Sequence, residues 1–278
     1  RVASYLAEKA EKAGISAKRM PVLPRRQNLV LRIRPSGKTK HRVMLTPHMD
    51  VVPGNERMFV PRIKKGLMHG RGTCDTKGSV AAFFQAFLQL ACNGPLPKNT
   101  EILFVGLVDE EYGQAGSRKL AQSGLGGNLA IAGEPTNLKV VSAHKGSLWV
   151  QIITKGRSAH GSTPQNGKNA VELMSPILDS LVNDYPIILS KKTHSLLGSP
   201  TLSIGRIKGG TQPNVVPDHC EVDLDRRIIP GESEQSIIEE IKVLLRRRKI
   251  SMPEIVSSRS VPCPPLETDP GLSFVRLF

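Results

Sequence analysis

Aromatic side chains are scarce: one Trp, three Tyr and seven Phe make up 4% of the 278 residues. A surface that stacks single-stranded bases needs several such rings, so that role is poorly supplied. Cysteine is equally thin. Cys74, Cys92, Cys220 and Cys263 are scattered and show no CxxC spacing, which argues against a disulfide framework and for a reduced, cytoplasmic protein. Cys74 reads as a buried structural thiol. No apolar run approaches the length of a membrane span, so no membrane partner is expected. Acidic residues are few, 24 against 39 Lys and Arg, for a net charge of +15. The only dense basic run, Arg246-Arg247-Arg248-Lys249, ends an amphipathic helical pattern, where cations suit the helix dipole. Nucleic acid is therefore not expected as a partner, and attraction of an anionic small molecule is the simpler use of the excess charge.

What is present is a soluble, globular composition, 39% hydrophobic and 23% charged, on a chain long enough for one large core or two domains. The chain opens with Arg1 directly on a helical pattern (Val2, Leu6, Ala10, Ala13, with Gly14 placed to stop it), so it reads as starting within a domain. Extended and helical patterns then alternate: QNLVLRI and HRVMLT as strands, KGSVAAFFQAFLQLAC as a helix, EILFVGLV as a strand, AGSRKLAQSG as a helix and NLAIAG as a strand. This alternation predicts an α/β layered fold. From His144 the order becomes β-α-β-β-α-β: GSLWVQIITKG, a helix over NAVELMSPILDSLVND interrupted at Pro176, TLSIGRIKGG, HCEVDLDRRIIP, a helix over SEQSIIEEIKVLLRR with Ser233 as N-cap, and PEIVSSRSV. That order is ferredoxin-like. The expected organisation is a first α/β domain over residues 1–143, an inserted α+β domain over 144–255, and a return to the first domain over 256–278.

Side chains that can ligate a metal cluster where the apolar runs of the first domain end. RVMLT leads into His48 and Asp50, ILFVGLV into Asp109, Glu110 and Glu111, and LAIAG into Glu134. Strand ends are where open α/β folds place their sites. One imidazole with several carboxylates describes a hard, partly nitrogen-ligated metal centre. His48 and Asp50, two apart, share a face if extended, and the carboxylate can then fix the imidazole. Asp75 lies in GRGTCDTKG, a glycine-rich turn before a helix. Such a turn can also cradle phosphate, but it matches neither nucleotide-binding pattern. Taken singly, each of these residues reads more simply as a surface pair, an acidic loop or a helix-end charge.

As a set, PHMDVVP, HGRGTCDTKG, DEEYG, AGEPT, KGSLWVQIITKGRSAHGSTP and GGTQPNVVPDHCEVDLDRRIIPG resemble the zinc-dependent amidohydrolases and peptidases that include acetylornithine deacetylase, succinyl-diaminopimelate desuccinylase, aminoacylase and glutamate carboxypeptidase. The pattern is most similar to the acetylornithine deacetylase and desuccinylase branch. The resemblance implies a zinc-exopeptidase-like α/β catalytic domain whose ferredoxin-like insert is a lid and dimerisation domain. It implies two zincs per subunit, with cobalt or manganese as alternatives: His48 and Glu134 on one, Glu111 on the other, Asp75 bridging. Asp50 would orient His48, Glu110 would be the general base and acid, and the Asp75–Thr76 peptide would be cis. His160 would reach the reacting carbonyl, often from the partner subunit of a homodimer. Asn214, Arg227 and Lys145 would contact the substrate, an N-acyl amino acid, in a reaction of arginine biosynthesis. The family takes a further zinc-ligating histidine from near its C-terminus. None follows His219 here, so that ligand is expected beyond Phe278. Other readings of the same residues are a dipeptidase or carboxypeptidase, or a non-catalytic metal-binding or dimerisation module.

Overall fold

A computed structural model describes residues 1–258 and 261–277. Helix α1 (Val2–Lys12) buries Leu6, Ala7 and Ala10 and stops before Gly14, whose φ of +77° suits glycine. Strands β1 (Ala17–Leu23) and β2 (Arg26–Ile33) form an antiparallel pair, followed by β3 (His41–Leu45). A small hairpin, β4 (Arg62–Lys64) and β5 (Leu67–His69), precedes α2 (Gly78–Asn93), β6 (Thr100–Gly106), α3 (Ala115–Gln122) and β7 (Leu129–Ile131). The main sheet runs β1-β2-β6-β3-β7, with β3 parallel to both β6 and β7. The C-terminal ends of these three strands therefore share one edge.

Both faces of the central strands β2 and β6 are covered, which is why NLVLRI and EILFVG carry nearly unbroken apolar runs. On one face Leu29, Leu31, Ile33 and Phe104 meet α1 and α2; on the other Val30, Leu103, Val105 and Met44 meet Leu120 of α3. Helix α2 buries Val80, Phe84 and Phe87, spaced along one helical face. Phe84 meets Phe104 edge-on and Phe87 meets it tilted, at ring-centroid distances of 5.6 and 6.2 Å. Burying each ring is worth about 2–3 kcal/mol, which anchors α2 and the turn before it.

The second unit begins with β8 (Ala143–His144) and β9 (Gly146–Lys155), then α4 (Ala170–Asp179), α5 (Tyr185–Ser190), β10 (Thr201–Gly209), β11 (His219–Ile228), α6 (Glu234–Arg247), β12 (Glu254–Ser257) and β13 (Leu266–Glu267). Its antiparallel sheet, β10-β11-β9-β12, is ferredoxin-like, with α4, α5 and α6 packed on Leu148, Val150, Ile152, Val222 and Leu224. Ser233 caps α6 in a reciprocal capping box with Ser236. The expected interruption at Pro176 falls later. Helix α4 continues through Pro176, and a wider turn over Ser180–Asp184, with Tyr185 N–H reaching Ser180 O, separates it from α5.

The chain divides into two compact units, Arg1–Leu138 and Lys139–Phe278. The tail differs from the sequence reading, which returned residues 256–278 to the first domain. Leu266 and Glu267 pair with His144 and Ala143, Ser147 N–H donates to Cys263 O at 2.9 Å, and His194 Nε2 lies 3.0 Å from Glu267 Oε1, all within the second unit. The last lid strand, expected over 253–261, spans Glu254–Ser257, and Arg259 and Ser260 lie outside the described residues. Cys74 is exposed, not buried, because its turn lies at the rim of the sheet edge.

Candidate metal centre

Pairing between β3 and β6 continues past the formal strands. Leu107 N–H donates to Pro47 O at 2.9 Å and Met49 N–H to Leu107 O at 2.7 Å, so His48 pairs in parallel with Leu107. This brings Asp50 beside the loop that carries Glu110 and Glu111. The Asp50 carboxylate accepts from Glu110 N–H at 3.2 Å and from Glu111 N–H at 3.3 Å.

Asp75 is presented by the turn before α2. The Asp75–Thr76 peptide is cis, as the resemblance implied. Gly72 holds φ +83°, and a Cβ there would collide with Val51 Cγ1, so the turn requires glycine. Buried Thr76 donates through Oγ1 to Gly133 O, fixing the start of α2 to the residue before Glu134.

Three donor atoms, from His48, Asp75 and Glu111, lie within 4.8 Å of one another. His48, only 1% exposed, places Nε2 at 2.9 Å from Asp75 Oδ1 and at 3.9 Å from both Glu110 Oε2 and Glu134 Oε1. Its Nδ1 faces Asp50, 3.1 Å from the main-chain oxygen and 3.7 Å from Oδ1. Distance from His48 treats Glu110 and Glu134 alike. Position separates them: Glu134 stands past the tip of β7, whereas Glu110 shares its loop with Glu111.

The charges are unbalanced. Burial pushes the Glu134 carboxyl up to about 7, and Glu110, Asp75 and Glu111 add to the rise although His48 opposes it. Burial likewise raises Glu110, with His48 again opposing and Glu111, Asp50 and Asp75 adding. His48 resists desolvation through its bonds to Asp50 and Asp75 and is raised to about 9. Asp50 also overcomes burial, through His48 and the N–H groups of Glu110 and Glu111, and falls to about 2. Crowded carboxylates around one imidazole favour an added cation, and an imidazole-and-carboxylate donor set suits zinc. The residues therefore fit a metal.

The other expected site residues lie in the second unit. His160 pairs with Val215 across a short bridge, with Nδ1 2.7 Å from Ser162 Oγ, and Gly161 N–H donates to Asn214 O at 2.8 Å. His160 and Asn214 are thus neighbours. Lys145 Nζ donates to Ser199 O at 2.6 Å, and half-exposed Arg227 pairs with Asp225 at 3.0 Å. Sequence reasoning passed over Arg226, which is fully buried and paired with Glu232 at 2.6 Å. Its only local signal was a second arginine in a strand that alternates apolar and polar residues.

Comparison with known proteins accords with this architecture. Residues 142–252 match a peptidase dimerisation domain and residues 28–163 match peptidase family M28. A probable carboxypeptidase from Paracoccidioides brasiliensis is 36% identical over 218 residues, covering 73% of this chain and 48% of that protein. An acetylornithine deacetylase from Myxococcus xanthus is 32% identical over 243 residues, covering 84% of this chain and 63% of that protein. The chain thus spans about half to two-thirds of the length of these curated relatives. The crystal structure of an aminopeptidase from Bacillus cereus shares the fold, with a TM-score of 0.78 at 22% identity, covering 100% of this chain and 74% of that one. With a cluster of candidate metal donors at the strand edge of an α/β unit, followed by a ferredoxin-like unit that matches a peptidase dimerisation domain, the chain belongs to the M20 family of metal-dependent amidohydrolases and peptidases.

Proposed function

We propose that this chain belongs to a metal-dependent hydrolase that cleaves the amide bond of an N-acyl amino acid. The observation that carries the proposal is the convergence of His48, Asp75 and Glu111 within 4.8 Å, flanked by Glu110 and Glu134. His48, Asp75 and Glu134 would hold one zinc, and Asp75 and Glu111 would hold a second. When bound, the metal supplies a Lewis acid for the acyl oxygen and acidifies the attacking water. Asp50 holds the His48 ring through Nδ1, leaving Nε2 for the metal. Glu110 takes the proton from the water oxygen as it adds to the acyl carbon. It then delivers that proton to the amide nitrogen as the C–N bond breaks, releasing a carboxylic acid and an amine.

Residues 144–255 are proposed as the lid and dimerisation domain. His160 and Asn214 sit past one end of the β9–β11 ladder; Lys145 and Arg227 sit at the other. From the Ser147–Arg227 pair the ladder runs eight residues to the Lys155–His219 pair, roughly 26 Å at strand rise, and the His160–Val215 bridge lies beyond that end. One lid would not bring both groups to one site. A homodimer in which His160 and Asn214 serve the partner's site uses both. Arg227, with its planar fork, suits a substrate carboxylate.

The carboxypeptidase relative favours a second reading, a dipeptidase or carboxypeptidase using the same centre. Assay against N-acetyl amino acids and dipeptides separates the two, and activity only on dipeptides would overturn the first. In either case Glu110→Gln should lower turnover by roughly 10²–10⁴-fold with metal content unchanged. Near-normal turnover would remove Glu110 from the role of base.

A further inference from the structure

The loop that carries Glu110 and Glu111 is held by two residues of β2, some eighty positions earlier. Asn28 is fully buried. Its Nδ2 donates to Gly116 O at 2.8 Å, and its Oδ1 accepts from Val108 N–H at 3.1 Å. Val108 and Gly116 flank the loop, so one side-chain amide closes its mouth. Gly116 N–H also donates to Val108 O at 3.0 Å, and a Cβ at position 116 would stand 2.7 Å from Asn28 Oδ1. Glycine is what lets the amide in.

Arg26 lies two residues earlier, on the same face of the strand, and reaches the centre of the loop. Its Nη1 is 3.0 Å from Asp109 Oδ1, and its Nη2 is 3.5 Å from Asp50 Oδ2. Asp109 has φ +67°, and its other carboxylate oxygen accepts from Ala115 N–H at 3.3 Å. Asp50 holds the N–H groups of Glu110 and Glu111. A single guanidinium thus spans the carboxylate that grips the start of the loop and the one that ties its far end.

We infer that Arg26 and Asn28 are positioning residues for the metal centre: Asn28 sets the width of the 108–116 loop, and Arg26 sets where Glu110 and Glu111 stand relative to His48 and Asp75. The inference rests on the reading of Glu111 as a metal donor. Arg26 removes positive charge when replaced, and by Coulomb's law alone its loss should tighten binding of a cation nearby. If Arg26 acts through geometry, its loss weakens binding instead.

The test is titration with Zn²⁺ of the wild-type protein, Arg26→Met, Glu111→Gln and the double variant, with thermal melting to confirm folding. Arg26→Met should weaken the Glu111-dependent zinc binding by about 10–100-fold, the usual effect of losing a partner behind a ligand. Added to Glu111→Gln it should weaken binding little further, because the residue it positions is already gone. Asn28→Leu should behave the same way, and Arg26, partly exposed, keeps the test decisive if that buried replacement does not fold. Unchanged or tighter zinc binding in Arg26→Met, with Glu111→Gln impaired, overturns the inference and leaves the donor reading standing. An equal further loss in the Glu111→Gln background also overturns it. Unchanged binding in Glu111→Gln overturns the donor reading itself, and the inference with it.

Discussion

Replacing Glu232 with Gln should destabilise the second unit far more than replacing Lys192 with Met, although both residues belong to one charge network. Arg226 has no exposed side-chain surface and pairs with Glu232 at 2.6 Å, while Glu240 lies 3.9 Å away and Tyr185 Oη accepts from its Nε at 3.3 Å. Without the Glu232 charge, the buried guanidinium keeps the neutral acceptors Tyr185 Oη and Arg227 O and, among the described residues, one more distant carboxylate. Leaving a buried ion uncompensated costs typically 3–5 kcal/mol, and Glu240 offsets part, so about 3 kcal/mol is expected. Lys192, one-third exposed, lies 2.9 Å from Glu232 and also pairs with Glu240. Solvent screening limits its loss to about 1 kcal/mol or less. Urea unfolding followed by fluorescence of Trp149, the single tryptophan, reads the second unit alone, since Trp149 lies in β9. The double variant Glu232→Gln with Arg226→Met should be more stable than Glu232→Gln, because the unpaired cation is gone. Burial would raise Glu232, but Ile229 N–H, Lys192 and Arg226 together lower it. Its stabilisation is therefore present above the ordinary carboxylate pKa and lost as pH falls through the lowered value. Equal destabilisation by the two single variants would refute the reasoning.

Three further outcomes follow from the centre and the lid. Zinc must displace the proton of a His48 raised to about 9, and part of one on a Glu134 raised to about 7, so affinity should rise from pH 6 to pH 8 with at least one proton released, as calorimetry in buffers of different ionisation enthalpy would measure; binding without proton release would contradict this. Gly72→Ala should cost about 1–3 kcal/mol through its positive φ and weaken zinc binding by displacing Asp75, and a titration matching wild type would show that the turn tolerates a side chain. Mixing inactive His160→Ala and Glu110→Gln proteins, with subunit exchange, should restore about a quarter of wild-type activity, since half the dimers are hybrids with one intact site of two; no recovery would mean that His160 serves its own subunit.

Much of the architecture is legible because it is local. Apolar runs ending on His48, the Glu110–Glu111 pair and Glu134 mark parallel strands and the ends that carry the candidate site at once, and the six-element order after His144 identifies the ferredoxin-like unit. Strand β1 was not legible: cations and Pro21 break its alternation, and it exists because β2 pairs with it. The β4–β5 hairpin, exposed at every position, has no burial pattern to read. Arg26 and Asn28 carried no local signal, because Asp109, Gly116 and Val108 are 80 to 88 residues distant in sequence and Asp50 lies on another strand end. The tail was assigned to the first domain because it is too short to be a domain of its own, and the pairing of Leu266 with His144 is a non-local contact that no pattern within 256–278 announces.

The most direct test of the account is anomalous diffraction at the zinc edge from crystals of the protein grown with Zn²⁺. A peak is expected about 2.0–2.2 Å from His48 Nε2 and from a carboxylate oxygen of Asp75, the distances zinc keeps to nitrogen and oxygen donors. Zinc found only elsewhere, with His48 and Asp75 still bonded to each other, would contradict it.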